Sequence, residues 1–365
     1  MDDAGELNAL RGALDQLRAG FADLPEAGTG TGDAALARVL RDVAERLHDN
    51  YPYFHPLYAG QMLKPPHPIA RLAYELALQI NPNNHALDGG RASSAMEKEA
   101  VAELAQMIGW DTHLGHLCGG GTMANLEALW ITSQLHLGKT VVASTQAHYT
   151  HQRITGVLGI PFETIPCDRR GRMDAPALER RLAAGGVGTV VATMGTTATG
   201  AVDPLAAIVD LRRRYDFRIH ADAAYGGYFI LADNLQDETK LALACMREAA
   251  SLVIDPHKHG LQPYGCGCVI FRDPSVGRLY RHDSPYTYYT STELHLGEIA
   301  LECSRPGAAA VALWATQQLF PLVRGGAFAQ GLESGRVAAL DLYERLRRDD
   351  RFITGARPEL DILVW

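Results

Sequence analysis

No stretch of this 365-residue chain approaches the roughly 20 consecutive apolar residues that a membrane-crossing helix requires. Basic charge is also short: 34 Lys and Arg against 42 Asp and Glu leave a net charge of −8 and a pI near 6.0. A nucleic-acid binder would show a basic face, so that class is excluded. Cysteine is sparse. Cys118, Cys167, Cys245, Cys266, Cys268 and Cys303 contain no CxxC pair, which argues against a disulfide framework and for reduced thiols. Neither His113, His116 and Cys118 nor His257 and His259 complete a tetrahedral ligand set, so no metal is expected. The opening residues, MDDAGELNALRGAL, lack an apolar signal core, and a cytoplasmic protein is the expectation.

What is present is an ordinary globular composition, 47% hydrophobic and 21% charged, on a chain longer than one usual core. Residues 6–20 and 33–49 read as amphipathic helices separated by PEAGTGTG. NYPYFHPLYAGQMLKPPHP follows, with five prolines and four aromatics in nineteen residues. It is either a packed irregular surface segment or a wall of a binding pocket. Residues 68–80 read as helix up to the NPNNH break. RASSAMEKEAVAELAQMIGW continues with helical spacing of Met96, Val101, Leu104 and Ile108, and Ser93 or Ser94 with Glu97 resembles a capping box.

From Thr140 strands and helices alternate: TVVAS, FETIP, GTVVATMG and FRIHAD, with helices after Thr150, Asp174 and Asp203. That alternation predicts an α/β domain with a mainly parallel central sheet and ligands beyond the strand C-terminal ends. A long amphipathic helix runs to about Arg348, and LDILVW closes the chain with a strand pattern. The expected division is residues 1–85 as an N-terminal helical segment, 86–320 as the large α/β domain, and 321–365 as a linking helix with the start of a small C-terminal α/β domain.

Two strand ends carry the chemistry. FRIHA delivers Asp222, and SLVIDPH delivers Lys258 36 residues later. A buried charge is expensive unless it is paired or used. Small residues crowd both ends, AAYGG (with Ala224) after Asp222 and HG then YGCG after Lys258, so a flat ligand can approach the backbone. An amine in a partly apolar pocket suits imine formation. A carboxylate nearby suits holding a pyridine nitrogen protonated. Together these describe a site for pyridoxal 5′-phosphate (PLP), joined to Lys258 as a Schiff base. CGGGTMANLEALW leads a glycine loop into a helix N-terminus, a geometry that binds anions. His148 lies just past TVVAS, positioned for a planar partner.

HADAAYGG and SLVIDPHKHGLQPYGCGCVIFR resemble the group II PLP-dependent amino-acid decarboxylases, which include the glutamate, aromatic amino-acid, tyrosine and histidine enzymes. Ser251, Leu252, Lys258, Tyr264, Cys266, Val269 and Arg272 fill the family signature. The resemblance implies the PLP-dependent transferase fold (aspartate aminotransferase-like, fold type I) and a homodimer with active sites at the subunit interface. It makes Gly121, Thr122 and Met123 the phosphate cradle and stacks His148 on the pyridine ring. Thr196 borders the cofactor, Ser251 and Asp255 support the phosphate or the lysine loop, and His257 contacts the substrate carboxylate. A mobile-loop tyrosine, among Tyr286, Tyr288 and Tyr289, returns the proton after CO2 leaves; His257 is the other donor. Tyr53, Phe54, His55 and Tyr58 become substrate contacts. A C-terminal domain of about a hundred residues would continue in the family. The implied activity is decarboxylation of an L-amino acid with an aromatic, acidic or imidazole side chain. Rival readings are a carbon–carbon lyase of the sphingosine-phosphate lyase type and a non-catalytic PLP-fold assembly protein.

Overall fold

The computed structural model describes residues 4–24, 33–53, 55, 57–58, 64–280 and 294–365. Four helices come first: α1 (Ala4–Ala19), α2 (Asp33–Leu47), α3 (Pro68–Leu78) and α4 (Leu87–Ile108). Then follow β1 (Leu114–Cys118), α5 (Gly121–Leu135), β2 (Thr140–Ser144), α6 (Thr150–Leu158), β3 (Phe162–Ile165), α7 (Ala175–Ala183) and β4 (Val187–Thr193). After α8 (Leu205–Leu211) come β5 (Arg218–Asp222), α9 (Asp237–Ala244), β6 (Ser251–Ile254), β7 (Gly267–Phe271), α10 (Gly307–Leu319) and α11 (Ala327–Leu346).

The seven strands form one sheet in the order β1-β7-β6-β5-β4-β2-β3. Strands β2 to β6 pair in parallel, and β7 runs antiparallel to both β6 and β1. Every residue of β2 and β4 is buried, because helices cover both faces and a parallel strand then reads as a continuous apolar run. Side chains alternate along β6: Leu252 and Ile254 join the core built on α4, whereas Val253 joins the core built on α5. The α4 and α5 helices therefore cover opposite faces. β5 sits centrally between β4 and β6, so Asp222 emerges mid-sheet, level with Thr193 of β4.

Two local expectations are corrected, and one strand is added to those expected. Helix α4 starts at Leu87 rather than at a Ser93 or Ser94 cap, with a break in helical geometry at Gly90. Glu97 is buried and accepts from Leu117 N (2.9 Å), Asn84 Nδ2 (2.6 Å) and Arg305 Nη1 (2.8 Å), so it is an internal ion-pair partner and no cap. HLGHLC, not expected to be a strand, is β1, held by its register against β7. LDILVW, expected as a strand, joins no ladder. Its Leu360 is fully buried in the main core with Phe328 and Leu332 of α11, and Glu359 accepts from Val202 N at 3.1 Å. These contacts fix the segment by its side chains, so it needs no ladder.

Candidate active site

A cavity of about 540 Å³ opens beyond the C-terminal ends of β4, β5 and β6. It gathers Gly121, Thr122 and Met123 from the start of α5, His148 from the turn after β2, Asp222 and Ala224 from β5 onward, and Asp255, His257 and Lys258 from the turn after β6. Nine of the sequence-selected residues therefore meet in one place.

The lysine turn is built by its backbone. Asp255 N donates to Ala224 O (3.2 Å), Lys258 N to Asp255 O (2.9 Å) and His257 N to Cys266 O (3.1 Å), tying the turn to β5 and to the approach to β7. Lys258 Nζ lies 3.1 Å from Asp255 Oδ2. Burial pushes the Asp255 carboxyl up, opposed by the charges of Lys258 and His257. Asp255 is thus a partner of the lysine. The His257 ring is 5.0 Å from that of Tyr264, and burial lowers its pKa, so it is neutral near pH 7.

Asp222 is buried at the far side. Burial alone would raise its pKa, but the hydrogen bond and charge of His151, with Lys258 and His220, outweigh it and hold the carboxyl well below its ordinary range. His151 Nε2 donates to Asp222 Oδ2 at 2.8 Å. His148 accepts at Nδ1 from Thr150 N (3.3 Å) and pairs there with Thr150 Oγ1 (2.8 Å). That bonding leaves its neutral-form proton on Nε2. Burial lowers the His148 pKa, with Asp222 opposing.

The cradle is close-packed. A methyl group on Gly121 would come within 2.7 Å of Asp255 Oδ2, and Gly120 takes a φ of 143°, a region that favours glycine. The first amides of α5 have no acceptor inside the helix. Asn125 secures this end: its Nδ2 donates to Gly121 O (2.8 Å) and its Oδ1 accepts from His220 Nε2 (2.7 Å).

Several expectations fall elsewhere. Thr196 is fully buried; its hydroxyl pairs with Thr199 Oγ1 (2.8 Å) and accepts from Ala201 N (3.1 Å), so it shapes a turn, and Thr197 lines the cavity instead. Ser251 opens β6, its Oγ 2.8 Å from His220 Nδ1 on β5, and is not among the residues that line the cavity. Tyr53 packs edge-on against Tyr58, their centroids 4.9 Å apart, and His55 is exposed; none of the three lines the cavity. Phe54, Tyr286, Tyr288 and Tyr289 lie outside the described residues. Four residues were not anticipated: His151, Asn125, Glu302, which lines the cavity and accepts from Gly119 N at 3.2 Å, and Thr193, whose buried hydroxyl has no partner. Adjacency to His148 was the one available signal for His151.

The sequence matches the pyridoxal-dependent decarboxylase conserved domain over residues 125–362. The chain belongs to that family. It is 28% identical to the L-tyrosine decarboxylase of Levilactobacillus brevis over an alignment of 389 positions, covering 79% of this chain and 62% of that protein. It is 34% identical over 229 positions to a probable L-aspartate decarboxylase of Halobacterium salinarum, covering 62% of each. The chain thus spans about three fifths of the length of these relatives. Two solved structures share its fold: mouse CSAD in apo form (TM-score 0.80, 23% identity, 99% of this chain and 76% of that one) and Oryza sativa TDC with PLP and tryptamine (TM-score 0.80, 19% identity, 99% and 83%).

The residues present fit a pyridoxal cofactor. Among the described residues, Asp255 Oδ1, His257 Nδ1 and Thr193 Oγ1, on residues that line the cavity, are buried without hydrogen-bond partners. The start of α5 lines the same cavity, and its first amides, without acceptors inside the helix, suit a phosphate.

Proposed function

We propose that this chain removes the α-carboxyl group of an L-amino acid as CO2, giving the corresponding amine, with PLP held through Lys258. The observation carrying this reading is that one cavity holds an inward-facing lysine, a carboxylate kept ionised by His151, and a glycine-lined helix N-terminus. PLP, when bound, supplies the electron sink for the pair left behind by CO2. The residues do the rest. Asp255 holds the Lys258 amine at 3.1 Å. Asp222, ionised, keeps a proton on a ring nitrogen placed against it. His148 flanks a flat ring, and the first amides of α5 receive the phosphate. His257, whose Nδ1 has no partner among the described residues, would orient the substrate carboxylate or, after taking up a proton, return it to carbon, a role shared with a tyrosine such as Tyr288.

The substrate side chain is aromatic, acidic or imidazole; Met123, Leu126 and Tyr264 in the lining support the aromatic choice. A lyase acting on a phosphorylated substrate would need a second basic cluster, and the described lining holds Lys258 with no arginine. A homodimer is supported by α2, where Leu36, Val39, Leu40, Val43 and Leu47 form an exposed apolar stripe at helical spacing. Six free cysteines suit the reducing cytoplasm. Among the described residues no helix is long and apolar enough to cross a membrane.

The test is a mass-spectrometric product screen with purified protein, PLP and a panel of L-amino acids. Amines lighter than their substrates by one CO2 are expected. PLP bound on Lys258 with no amine from any substrate would sink the decarboxylase reading.

A further inference from the structure

Behind the lysine turn lies a second polar cluster, which shares Tyr225 with the cavity already described. Asp361, on the segment after α11, has a side chain 6% exposed and three donors around it. Tyr225 Oη donates to Oδ1 at 2.5 Å. Lys64 Nζ and His259 Nε2 both meet Oδ2 at 3.1 Å. Burial would raise the Asp361 pKa, but His259, Lys64 and Tyr225 outweigh it and keep the carboxyl ionised. His259 is buried, and its Nδ1 faces Tyr225 O at 2.9 Å. Its ring meets Tyr225 and Phe229 edge-on, with centroids 4.5 and 4.9 Å away.

Each partner belongs to the working cavity or adjoins it. Tyr225 lines it, three residues past Asp222. His259 follows Lys258 directly and faces the other way, into a second cavity of about 260 Å³ that also touches Lys64, Phe320, Phe328 and Asp361. One carboxylate therefore fastens the backs of the β5 exit and the lysine turn, and Lys64 adds the chain that leaves the 51–63 segment.

We propose that Asp361 is a positioning residue: by holding Tyr225 and His259 together it sets where Lys258 and the Tyr225 wall stand relative to Asp222. The proposal rests on the reading that Lys258 carries PLP. It assigns a role in the site to a residue more than a hundred positions downstream of that lysine.

The test compares full-length wild type, Asp361→Asn, His259→Gln and the double variant. Asp361→Asn keeps the shape and the bond to Tyr225 while removing the charge that faces His259 and Lys64, so the buried tyrosine hydroxyl keeps its acceptor. Two readouts are needed: hydrogen exchange of the protein without PLP, and the PLP dissociation constant, with borohydride reduction and peptide mapping to mark Lys258. We expect exchange in residues 223–228 and 257–262 to rise about fivefold or more, with α4 unchanged. PLP affinity should weaken about tenfold in either single variant. The double variant should lose no more than the worse single, because both cut one link. Exchange and affinity within twofold of wild type would overturn the proposal. So would equal loss of protection in α4, which would mark general destabilisation. If the wild type takes no PLP on Lys258, the functional reading fails, and exchange at 257–262 alone decides the anchoring.

Discussion

Asp222, at the end of the central strand, accepts a hydrogen bond of 2.8 Å from His151, a residue on α6. The pair makes Asp222 a fixed negative charge at a depth where a lone carboxyl would take up a proton. Asp222→Asn should keep the shape and lose the charge. Turnover is expected to fall by about a hundredfold or more, with PLP occupancy changing only a few-fold. Parallel losses in rate and occupancy, measured by product formation and cofactor absorbance, would make Asp222 a structural residue.

His151→Phe removes the leading influence that depresses Asp222, leaving the charges of Lys258 and His220 alone against burial, which pushes it up. A depressed carboxyl stays ionised until pH falls through its folded value, so the intact pair keeps that transition far below neutrality. In the variant the acidic limb of the pH–rate profile should move upward by roughly one unit or more. An unmoved limb would separate His151 from the charge state of Asp222.

His220 sets an acid limit on stability. Burial, then the neighbouring His151, lowers its pKa to about 3. The neutral ring is satisfied, donating from Nε2 to Asn125 Oδ1 and accepting at Nδ1 from Ser251. Unfolding takes up a proton below about pH 6.5, so stability is full above that value and declines as pH falls towards 3. The slope approaches about 1.4 kcal/mol per pH unit. Urea melts between pH 7 and 5 should show the decline, and His220→Gln should flatten it. A His220→Gln series with the wild-type slope would assign the acid sensitivity elsewhere.

Gly121→Ala would press a methyl group to 2.7 Å from Asp255 Oδ2, against the carboxylate that holds Lys258. PLP affinity should drop about tenfold or more. Gly156→Ala, in α6 with open space around the new methyl group, should instead gain about 0.5–1 kcal/mol. Fluorescence titration and thermal melts on both variants check this contrast. Unchanged PLP binding in Gly121→Ala would show that the cradle tolerates a side chain.

The parallel strands and the meeting of Asp222 and Lys258 in one cavity were legible because apolar runs ending in lone charges have few explanations. β1 was not: HLGHLC carries no apolar run, and its strand state comes from pairing with β7. His151 was hidden for a similar reason. A histidine on a helix reads as ordinary until the helix is docked beside β5 and the ring reaches the Asp222 carboxylate. Thr196 and Thr197 are one position apart, and only the turn bond of Thr196 to Thr199 decides which one faces the cavity. Ser94 and Glu97 had the spacing of a cap, but the buried Arg305 claims the glutamate. In each case the deciding partner lies far away in the chain or in a turn geometry that pattern alone does not carry.

The strand order has a consequence for how the protein is made. β1 leads into the glycine cradle, yet among the described residues its one ladder partner is β7, and Cys118 meets Gly267 about 150 residues later. At ribosomal speeds of about 5–20 residues per second, the cradle strand waits on the order of ten to thirty seconds for its neighbour. During that interval an apolar-faced segment is exposed without its sheet, and contacts so distant in sequence close slowly. The pairing of the strand that leads into the glycine turn is therefore expected among the last to form. A nascent chain halted before residue 267 would have Asp222 and His151 in place but no cradle beside them.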